Sequence, residues 1–394
     1  MSLRSHVLDA CKSLDAAVGI PAGRVLGGRR RSLQRAPTDA LVIRLWGLGN
    51  LALLAPHLHA ARHDVRLRLL TLERNGDFVR RHLPWVEPLL VPDPGSPRCL
   101  PSFLSRLRSL GPDRPDVIVD AEQFLRMPLL GVRWACPAPT VGLDTPRQGR
   151  APLLDHPVAY DPTRHVADTF AALWRAAGLP VGRGPGPLRV DASLFPADDR
   201  SLGTDDHDGD PLVVIHPGSG DHFPGRRWPA ERFGALARRL RTRHRARILV
   251  TGLPSEAELV RTVLRHADGH AVDLCGQLDS ARLVALLARA DLLVTNDTGP
   301  LHLADAVGTR AVALYGPNTP HRYGPRLAGS RSVFADLPCS PCLDDRSMKR
   351  SSCRDHVCMD VLSVDLVEQA CASALPATPA DAVRALEAPR ALAR

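Results

Sequence analysis

The stretch LLVTNDTGPLHLADAVGT, Leu292–Thr309, decides the fold because it holds a buried strand, a tight polar turn and a helix start. Pro300 suits the first turn of a helix. Thr298 or Asp297 can cap that helix, while the remaining N–H groups of its first turn point outward and form an anion site. His302 lies on the first turn and can donate to the same anion. The alternative is an ordinary turn followed by a well-capped helix.

Strands and helices alternate in the same way along most of the chain. The alternation runs from ALVIRLW at residue 40 and restarts with PLVVIHPGSG at residue 211. Such alternation predicts parallel, doubly wound sheets, and 394 residues are too many for one core. We therefore predict an α/β protein of two Rossmann-like, doubly wound domains joined by a linker and facing a central cleft, where a ligand binds at the carboxyl ends of the strands. The predicted segments are a leader (1–39), an N-terminal domain (40–195), a linker (196–210), a C-terminal domain (211–335) and a Cys-rich segment with a helical tail (336–394).

The composition favours anionic partners. The formal net charge is +9, which attracts nucleotides, phosphorylated lipids or an anionic membrane surface. The aromatic-plus-basic pattern of nucleic-acid modules is missing, so nucleic acid is not an expected partner. No apolar run reaches the roughly 18 residues that span a bilayer, and no signal peptide is evident. We expect a cytoplasmic protein with reduced cysteines.

The leader carries an apolar stripe at helical spacing followed by a cluster of arginines. One interpretation is a helix packed on the body of the protein, followed by a solvated linker. The other is a weak interfacial anchor, in which the basic residues attract anionic lipid and hold the protein at the inner membrane.

A second anion-friendly turn lies in IHPGSGDHFPGRRWP, residues 215–229. The backbone N–H groups of Gly218, Ser219 and Gly220 can cradle phosphate oxygens, and Arg226 can add positive charge. Glu256 follows the end of another strand and can accept hydrogen bonds from ribose hydroxyls, although an acidic residue in a first helical turn is common.

Two further patterns point to other chemistry. Gly47-x-Gly49-x-x-Ala52, with Glu73 after the next strand, matches a dinucleotide-binding pattern, so an NAD-dependent oxidoreductase is an alternative. Four cysteines fall within twenty residues and can form a structural zinc site or remain reduced thiols without metal. They are Cys339, Cys342, Cys353 and Cys358.

Taken in order, these motifs resemble glycosyltransferase family 9, the bacterial ADP-heptose:lipopolysaccharide heptosyltransferases. The resemblance covers about residues 40–359 and is strongest over residues 212–317. It rests on TNDTGPLHLADAVGTRAVALYGP, on RRWPAERFGALARRL, on the Cys-rich ending and on the shorter segments DAEQF and RHVAD.

The resemblance implies a GT-B fold and an inverting transfer, with no metal in the active site and no cofactor. The donor would bind the C-terminal domain and the acceptor the N-terminal one. Positions matched to the family place Asp297, Thr298, Gly299 and His302 on the diphosphate and sugar, Arg226 on phosphate, Glu256 on the nucleoside and Leu278 in the base pocket. Ser219, from the glycine-rich turn, is also expected to bind the donor. Gly49, Arg164 and His165 would lie on the acceptor side.

The chain departs from the family at Asn50. Family members of this type have an aspartate there, which serves as general base for the acceptor hydroxyl. An amide cannot take up a proton at useful pH. Three alternatives follow: Asp120 or Glu122 replaces the base, the chain is inactive, or Asn50 positions the acceptor while phosphate oxygens take the proton. We favour an active enzyme that transfers heptose from ADP-heptose to the lipopolysaccharide core or another cell-envelope glycan. The competing hypothesis is that the chain is a catalytically impaired nucleotide-sugar-binding protein.

Overall fold

The computed structural model describes two compact units that divide between Arg183 and Gly184. The described residues are 13, 15, 17, 19 and 21 in the leader, and then 30–33, 36–94, 96, 98–110, 113–184, 186–195, 210–220, 224–343, 351 and 353–375. Among them no helix is long and apolar enough to cross a membrane.

The first unit is a six-stranded parallel sheet in the order β3-β2-β1-β4-β5-β6. Its strands are β1 (Asp39–Ile43), β2 (Arg66–Leu72), β3 (Val86–Val91), β4 (Val117–Asp120), β5 (Thr140–Asp144) and β6 (His156–Ala159). Its helices are α1 (Leu48–Ala61), α2 (Gly76–His82), α3 (Cys99–Ser109), α4 (Met127–Ala135) and α5 (Val166–Ala176). The central strands are continuous apolar runs, because helices in a doubly wound fold cover both faces of the sheet.

The second unit repeats this plan, with strands in the order β12-β11-β10-β7-β8-β9. The strands are β7 (Leu212–His216), β8 (Arg247–Val250), β9 (Val272–Asp273), β10 (Leu292–Asn296), β11 (Arg310–Tyr315) and β12 (Arg331–Phe334). The helices are α6 (Ala230–His244), α7 (Ala257–Ala267), α8 (Ser280–Arg289), α9 (Gly299–Val307), α10 (Pro320–Tyr323), α11 (Val357–Asp360) and α12 (Val364–Ala374). The fully buried Trp228 and Phe233 lie in a core that also includes residues from α12.

Each sheet has one switch point, where the strand order reverses. It lies between β1 and β4 in the first unit and between β7 and β10 in the second. Loops leaving two such strands at their carboxyl ends run in opposite directions and leave a crevice, which is where α/β sheets bind ligands. The two predicted polar turns, after β7 and after β10, both lie at the switch point of the second unit, and the turn that carries Asn50 lies at that of the first.

The boundary between the units differs from the predicted one at residue 195. Residues 186–195 belong to the second unit, because Phe195 is held there by two arginines of α8. Arg289 donates to the Phe195 carbonyl oxygen at 3.0 Å, and the Arg282 guanidinium carbon lies 5.3 Å from the Phe195 ring centroid. Residues 196–209 of the predicted linker and 376–394 of the predicted tail lie outside the described residues.

Candidate donor and acceptor sites

Asn296 joins the loops at the switch point of the second unit. Its side chain, at the end of β10, is fully buried. The amide nitrogen donates to the Pro217 carbonyl oxygen at 2.8 Å, and the amide oxygen accepts from the Trp228 backbone N–H at 3.0 Å. The ends of β7 and β10 and the segment before α6 are therefore fixed together. Sequence analysis missed this role, although an amide ending a buried apolar strand is a signal for it.

The start of α9 differs in one respect from the prediction. Thr298 is the N-cap residue, but its side chain makes no capping hydrogen bond. The Asp297 carboxylate instead accepts from the Asn318 side-chain amide at 2.8 Å. The prediction that the Thr298 side chain caps this helix is therefore wrong. Without that cap, the positive N-terminal end of the α9 dipole can face an anion.

Arg226 connects the two polar turns. One guanidinium nitrogen, Nη1, donates to the Asp297 carbonyl oxygen at 2.8 Å, and the other, Nη2, donates to the Ser219 carbonyl oxygen at 2.7 Å. The Asp297 carboxylate lies 3.6 Å from the same guanidinium, whose side chain is 21% exposed. Because both carbonyls fix its orientation, Arg226 presents a positive charge beside the N-terminus of α9.

The glycine-rich loop after β7 holds an anion of the protein itself. The backbone N–H groups of Ser219 and Gly220 both donate to Glu256 Oε1 at 3.1 Å, and the Leu253 N–H donates to Oε2 at 2.9 Å. A Cβ on Gly218 would overlap both carboxylate oxygens, so any larger residue there requires the carboxylate or the loop to shift. The predicted phosphate nest is therefore wrong for these N–H groups, because a carboxylate already occupies them.

Glu256 is accordingly buried beneath the loop, with 2% of its surface exposed. Its carboxylate oxygens are turned toward backbone N–H groups, and its contact with the nucleoside stays a prediction. His216, which ends β7 just before this loop, was not singled out by sequence analysis. His216 Nδ1 lies 3.1 Å from the Thr251 hydroxyl, and burial lowers the pKa of His216 although the Glu256 carboxylate raises it.

The other two predicted donor-side residues lie further along the same unit. His302 is buried on α9, with its ring centroid 6.4 Å from that of Tyr323. Leu278 is half-buried in the loop between β9 and α8. The Gly276 N–H in this loop donates to the Gly252 carbonyl oxygen at 2.9 Å, so the loop is attached to the carboxyl end of β8.

Asn50 lies at the switch point of the first unit, in the first turn of α1. Gly47 precedes that helix with a φ of 82°, which favours glycine, and its carbonyl oxygen accepts from the Asn50 N–H at 3.0 Å. Gly49 is buried beside it. A Cβ on Gly47 would lie 3.1 Å from the Asn50 side-chain nitrogen. The turn thus holds Asn50 half-exposed at the start of a helix.

Asp120 and Glu122 follow β4 at the same switch point, and each is buried against an arginine. Asp120 pairs with Arg150, and Glu122 lies 3.5 Å from Arg44. Burial raises the pKa of Asp120 to about 6, against the lowering effect of Arg150. Glu122 Oε1 also accepts from the Leu45 N–H at 2.6 Å. Both carboxylates therefore order the loops around Asn50.

The remaining acceptor-side residues lie at the start of α5. His165 is its N-cap, with Nδ1 accepting from the Ala167 N–H at 3.1 Å. Arg164 is exposed and pairs with Asp161 at 3.2 Å. Glu73 of the dinucleotide-like pattern follows β2 directly and is exposed.

The predicted zinc site is not formed in the part of the chain that the structure describes. Among the described residues no three His, Cys, Asp or Glu side chains are grouped so that they could hold a metal ion. Cys339 and Cys353 are exposed, whereas Cys358 is buried, and its thiol would lie 2.8 Å from a Cβ on Gly316. Burial, followed by the effect of Cys342 and the other two thiols, raises the pKa of Cys358 to about 11.

The Cys-rich segment is instead built onto the loops of the second unit. The Cys342 and Leu343 N–H groups donate to the Pro317 carbonyl oxygen at 2.9 and 2.8 Å. The His356 ring packs directly against Gly225, and a Cβ on this glycine would overlap the ring. Gly225 immediately precedes Arg226, so this segment packs beside the arginine that joins the two polar turns.

Two doubly wound units, each with polar loops at its switch point, define a GT-B glycosyltransferase fold. The chain belongs to glycosyltransferase family 9: the family model described as glycosyltransferase family 9 (heptosyltransferase) matches residues 105–351. This membership opposes the oxidoreductase alternative, whose pattern lies outside the polar loops of the second unit.

Similar proteins agree with the family. The lipooligosaccharide heptosyltransferase 2 of Campylobacter jejuni is 28% identical over 167 residues, which cover 41% of this chain and 50% of that protein. The chain thus spans about half the length of this curated relative. A family 9 glycosyltransferase of Veillonella parvula has a similar fold, with a TM-score of 0.69, 23% identity, and 86% and 97% of the two chains covered. The E. coli heptosyltransferase WaaC with ADP-2-deoxy-2-fluoro heptose has a TM-score of 0.61 at 18% identity, covering 84% and 98%.

Proposed function

We propose that this protein is an inverting glycosyltransferase that transfers heptose from ADP-heptose to the lipopolysaccharide core or another cell-envelope glycan. The proposal rests chiefly on Arg226, which is held by two backbone carbonyls beside the N-terminus of α9. Family membership supports the sugar-transfer chemistry, and the ligand of the WaaC neighbour supports the donor.

The donor diphosphate would lie at the start of α9, against Thr298 and Gly299. The helix dipole and Arg226 would stabilise the negative charge that grows on the diphosphate as the sugar leaves. His302, in the same turn of α9, would donate to the diphosphate or the sugar. Leu278 would contact the base, and Asp297 would keep the turn in place through Asn318.

In the transfer, the acceptor hydroxyl oxygen attacks the anomeric carbon from the face opposite the diphosphate. A new carbon–oxygen bond forms, the bond to the diphosphate breaks, and ADP leaves with the electron pair. Asn50 would orient the hydroxyl, since its amide cannot take the proton. Asp120 and Glu122 are buried against arginines. Because the attacking hydroxyl and the diphosphate lie on opposite faces of the sugar, the proton would pass through water to an oxygen of the departed diphosphate.

A comparison of ligands tests the proposal. We expect ADP-heptose to raise the melting temperature of the purified protein, and ADP and labelled sugar transfer to appear with a lipopolysaccharide-core acceptor. UDP-sugars and NAD serve as controls. Stabilisation by NAD alone would overturn the proposal. His302→Ala should weaken donor binding, and an unchanged donor affinity would remove His302 from the site.

Asn50 also favours a second candidate, a nucleotide-sugar-binding protein with impaired catalysis. Comparing the wild type with Asn50→Asp separates the two. If the protein has lost only its catalytic base, the wild type binds the donor without transferring sugar, and the Asn50→Asp variant transfers sugar. A working transferase is already active as wild type.

We further propose that the protein acts on the cytoplasmic side of the inner membrane, on an acceptor carried by a glycolipid. The net charge of +9 supports attraction to an anionic surface. Co-sedimentation with vesicles should increase with their anionic lipid content and fall with added salt. Equal binding to neutral vesicles would contradict this.

A further inference from the structure

The leader contributes a buried carboxylate to the first unit. Asp15 is 4% exposed, and its Oδ1 accepts from the backbone N–H groups of Arg126 and Met127 at 2.8 and 2.7 Å. These N–H groups start α4, whose own N-cap residue, Arg126, provides no side-chain cap. Asp15 therefore caps α4 from a distant part of the sequence.

The same carboxylate neutralises a buried arginine. Asp15 Oδ2 accepts from Arg126 Nη1 at 2.8 Å, and Arg126 is 1% exposed. The other guanidinium nitrogens of Arg126 donate to the backbone and side-chain oxygens of Gln148. A Cβ on Gly19 would lie 2.7 Å from the Arg126 Cβ, so the leader packs directly on the arginine stem. A buried guanidinium needs such a counter-ion, because it loses its hydration.

A second arginine continues the network toward the switch point. Arg150, two residues after Gln148, donates to the Leu125 carbonyl oxygen at 2.9 Å and pairs with Asp120. The segment between β4 and α4 is therefore held at one end by Asp15 and at the other by Arg150.

The last step reaches the loop that carries Asn50. Asp120 Oδ1 accepts from the Glu122 N–H at 3.0 Å, and Glu122 Oε1 accepts from the Leu45 N–H at 2.6 Å. Leu45 lies in the loop between β1 and α1, five residues before Asn50. Hydrogen bonds and ion pairs, joined by short stretches of backbone between Gln148 and Arg150 and between Leu45 and Asn50, thus connect the leader to the proposed acceptor site.

We propose that Asp15 is a positioning residue of the acceptor site, which acts through Arg126 and the β4–α4 segment on the loop around Asn50. The leader is then part of the transferring unit in addition to any role at the membrane. The kinetic part of the proposal rests on the proposed function, whereas the structural part does not.

Hydrogen exchange tests the structural part on the full chain. Asp15→Asn keeps the shape and an acceptor oxygen but leaves the Arg126 charge without its counter-ion. We expect the amides of residues 121–127 and 45–50 to exchange about tenfold faster or more, with the second unit unchanged. Ala17→Asn, at an exposed position of the leader, is the matched control and should exchange as wild type. Unchanged exchange at residues 45–50, or equal acceleration throughout both units, would overturn the proposal.

Kinetics test the effect on the acceptor. Asp15→Asn should raise the acceptor KM or lower kcat roughly tenfold, because small misplacements at a reacting group are costly, while the donor KM stays within about twofold. Asp15→Glu should recover part of the loss, since it restores the charge. Equal changes in the donor and acceptor constants would contradict positioning. A wild type that transfers no sugar overturns the proposed function and leaves the exchange experiment to decide the role of Asp15.

Discussion

The pH dependence of stability gives a sharp test of the donor unit through Asp305. This residue lies on α9, is buried, and accepts from the Arg326 and Leu327 N–H groups at 2.7 and 3.3 Å. Burial is the main cause that raises the pKa of Asp305 from 3.8 to about 6, and the two N–H groups and the Arg326 charge only partly offset it.

The sign of this pH dependence follows from which state, folded or unfolded, binds the Asp305 proton more tightly. The folded protein holds the Asp305 proton up to a pH of about 6, whereas the unfolded chain releases it near 3.8. The stabilisation from this proton is therefore complete below pH 3.8 and is lost as the pH rises to about 6 and beyond. The difference between these two pKa values corresponds to about 3 kcal/mol of unfolding free energy.

Asp305→Asn removes this titration while keeping the shape of the side chain. We expect the stability advantage of the wild type over the variant to fall by about 3 kcal/mol between about pH 4 and about pH 7. The amide side chain of the variant is not charged at any pH, so any cost of burying it is constant. Urea unfolding at each pH, followed by pulsed hydrogen exchange of peptides from β10 to β11, reports on the second unit alone.

The control is Glu231→Gln, which removes one exposed carboxylate from the first turn of α6 and so changes the net charge equally. A stability difference between wild type and Asp305→Asn that is constant across this pH range would refute the reasoning. So would the same pH dependence in the Glu231→Gln protein, since net charge alone would then explain it.

Three further substitutions test the donor loops. Gly218→Ala places a Cβ against the buried Glu256 carboxylate and should cost roughly 1–3 kcal/mol in urea unfolding; wild-type stability would mean that the loop readily moves away. Asn296→Ala leaves the Pro217 carbonyl and the Trp228 N–H without their partner and should lower the free energy of unfolding by about 2–4 kcal/mol. An unchanged free energy of unfolding would mean that water replaces the amide. Arg226→Lys keeps the charge but not the two-carbonyl contact, and should raise the donor KM roughly tenfold with little change in melting temperature; an unchanged KM would show that charge alone suffices.

The alternation of strands and helices in both units could be predicted from the sequence, because buried parallel strands and amphipathic helices have clear local patterns. The comparison with known proteins confirms the family and the GT-B fold. The polar turns were also predicted at the right strand ends, since carboxyl ends of parallel strands share one edge of a sheet.

What the sequence did not predict depends on contacts between distant residues. Glu256 has the local pattern of a first-turn acid, yet its partners are the N–H groups of a loop more than thirty residues earlier. Asp15 is separated from Arg126 by 111 residues, and no periodicity connects them. Phe195 belongs to the second unit through arginines of α8, which a change of composition cannot show. The roles of the residues predicted to bind donor and acceptor stay predictions until the binding of these ligands is measured.

The attachment of the Cys-rich segment to the donor loops bears on how the chain is made. The Trp228 indole N–H donates to the Leu362 carbonyl oxygen at 2.8 Å, across 134 residues of sequence. The Pro317 carbonyl oxygen likewise accepts from the Cys342 and Leu343 N–H groups, and Gly225 packs against the His356 ring. A ribosome must therefore release the chain past about residue 374 before the second unit can close its core. During translation the first unit can fold early, and the second is completed only after the segment through residue 374 has left the ribosome.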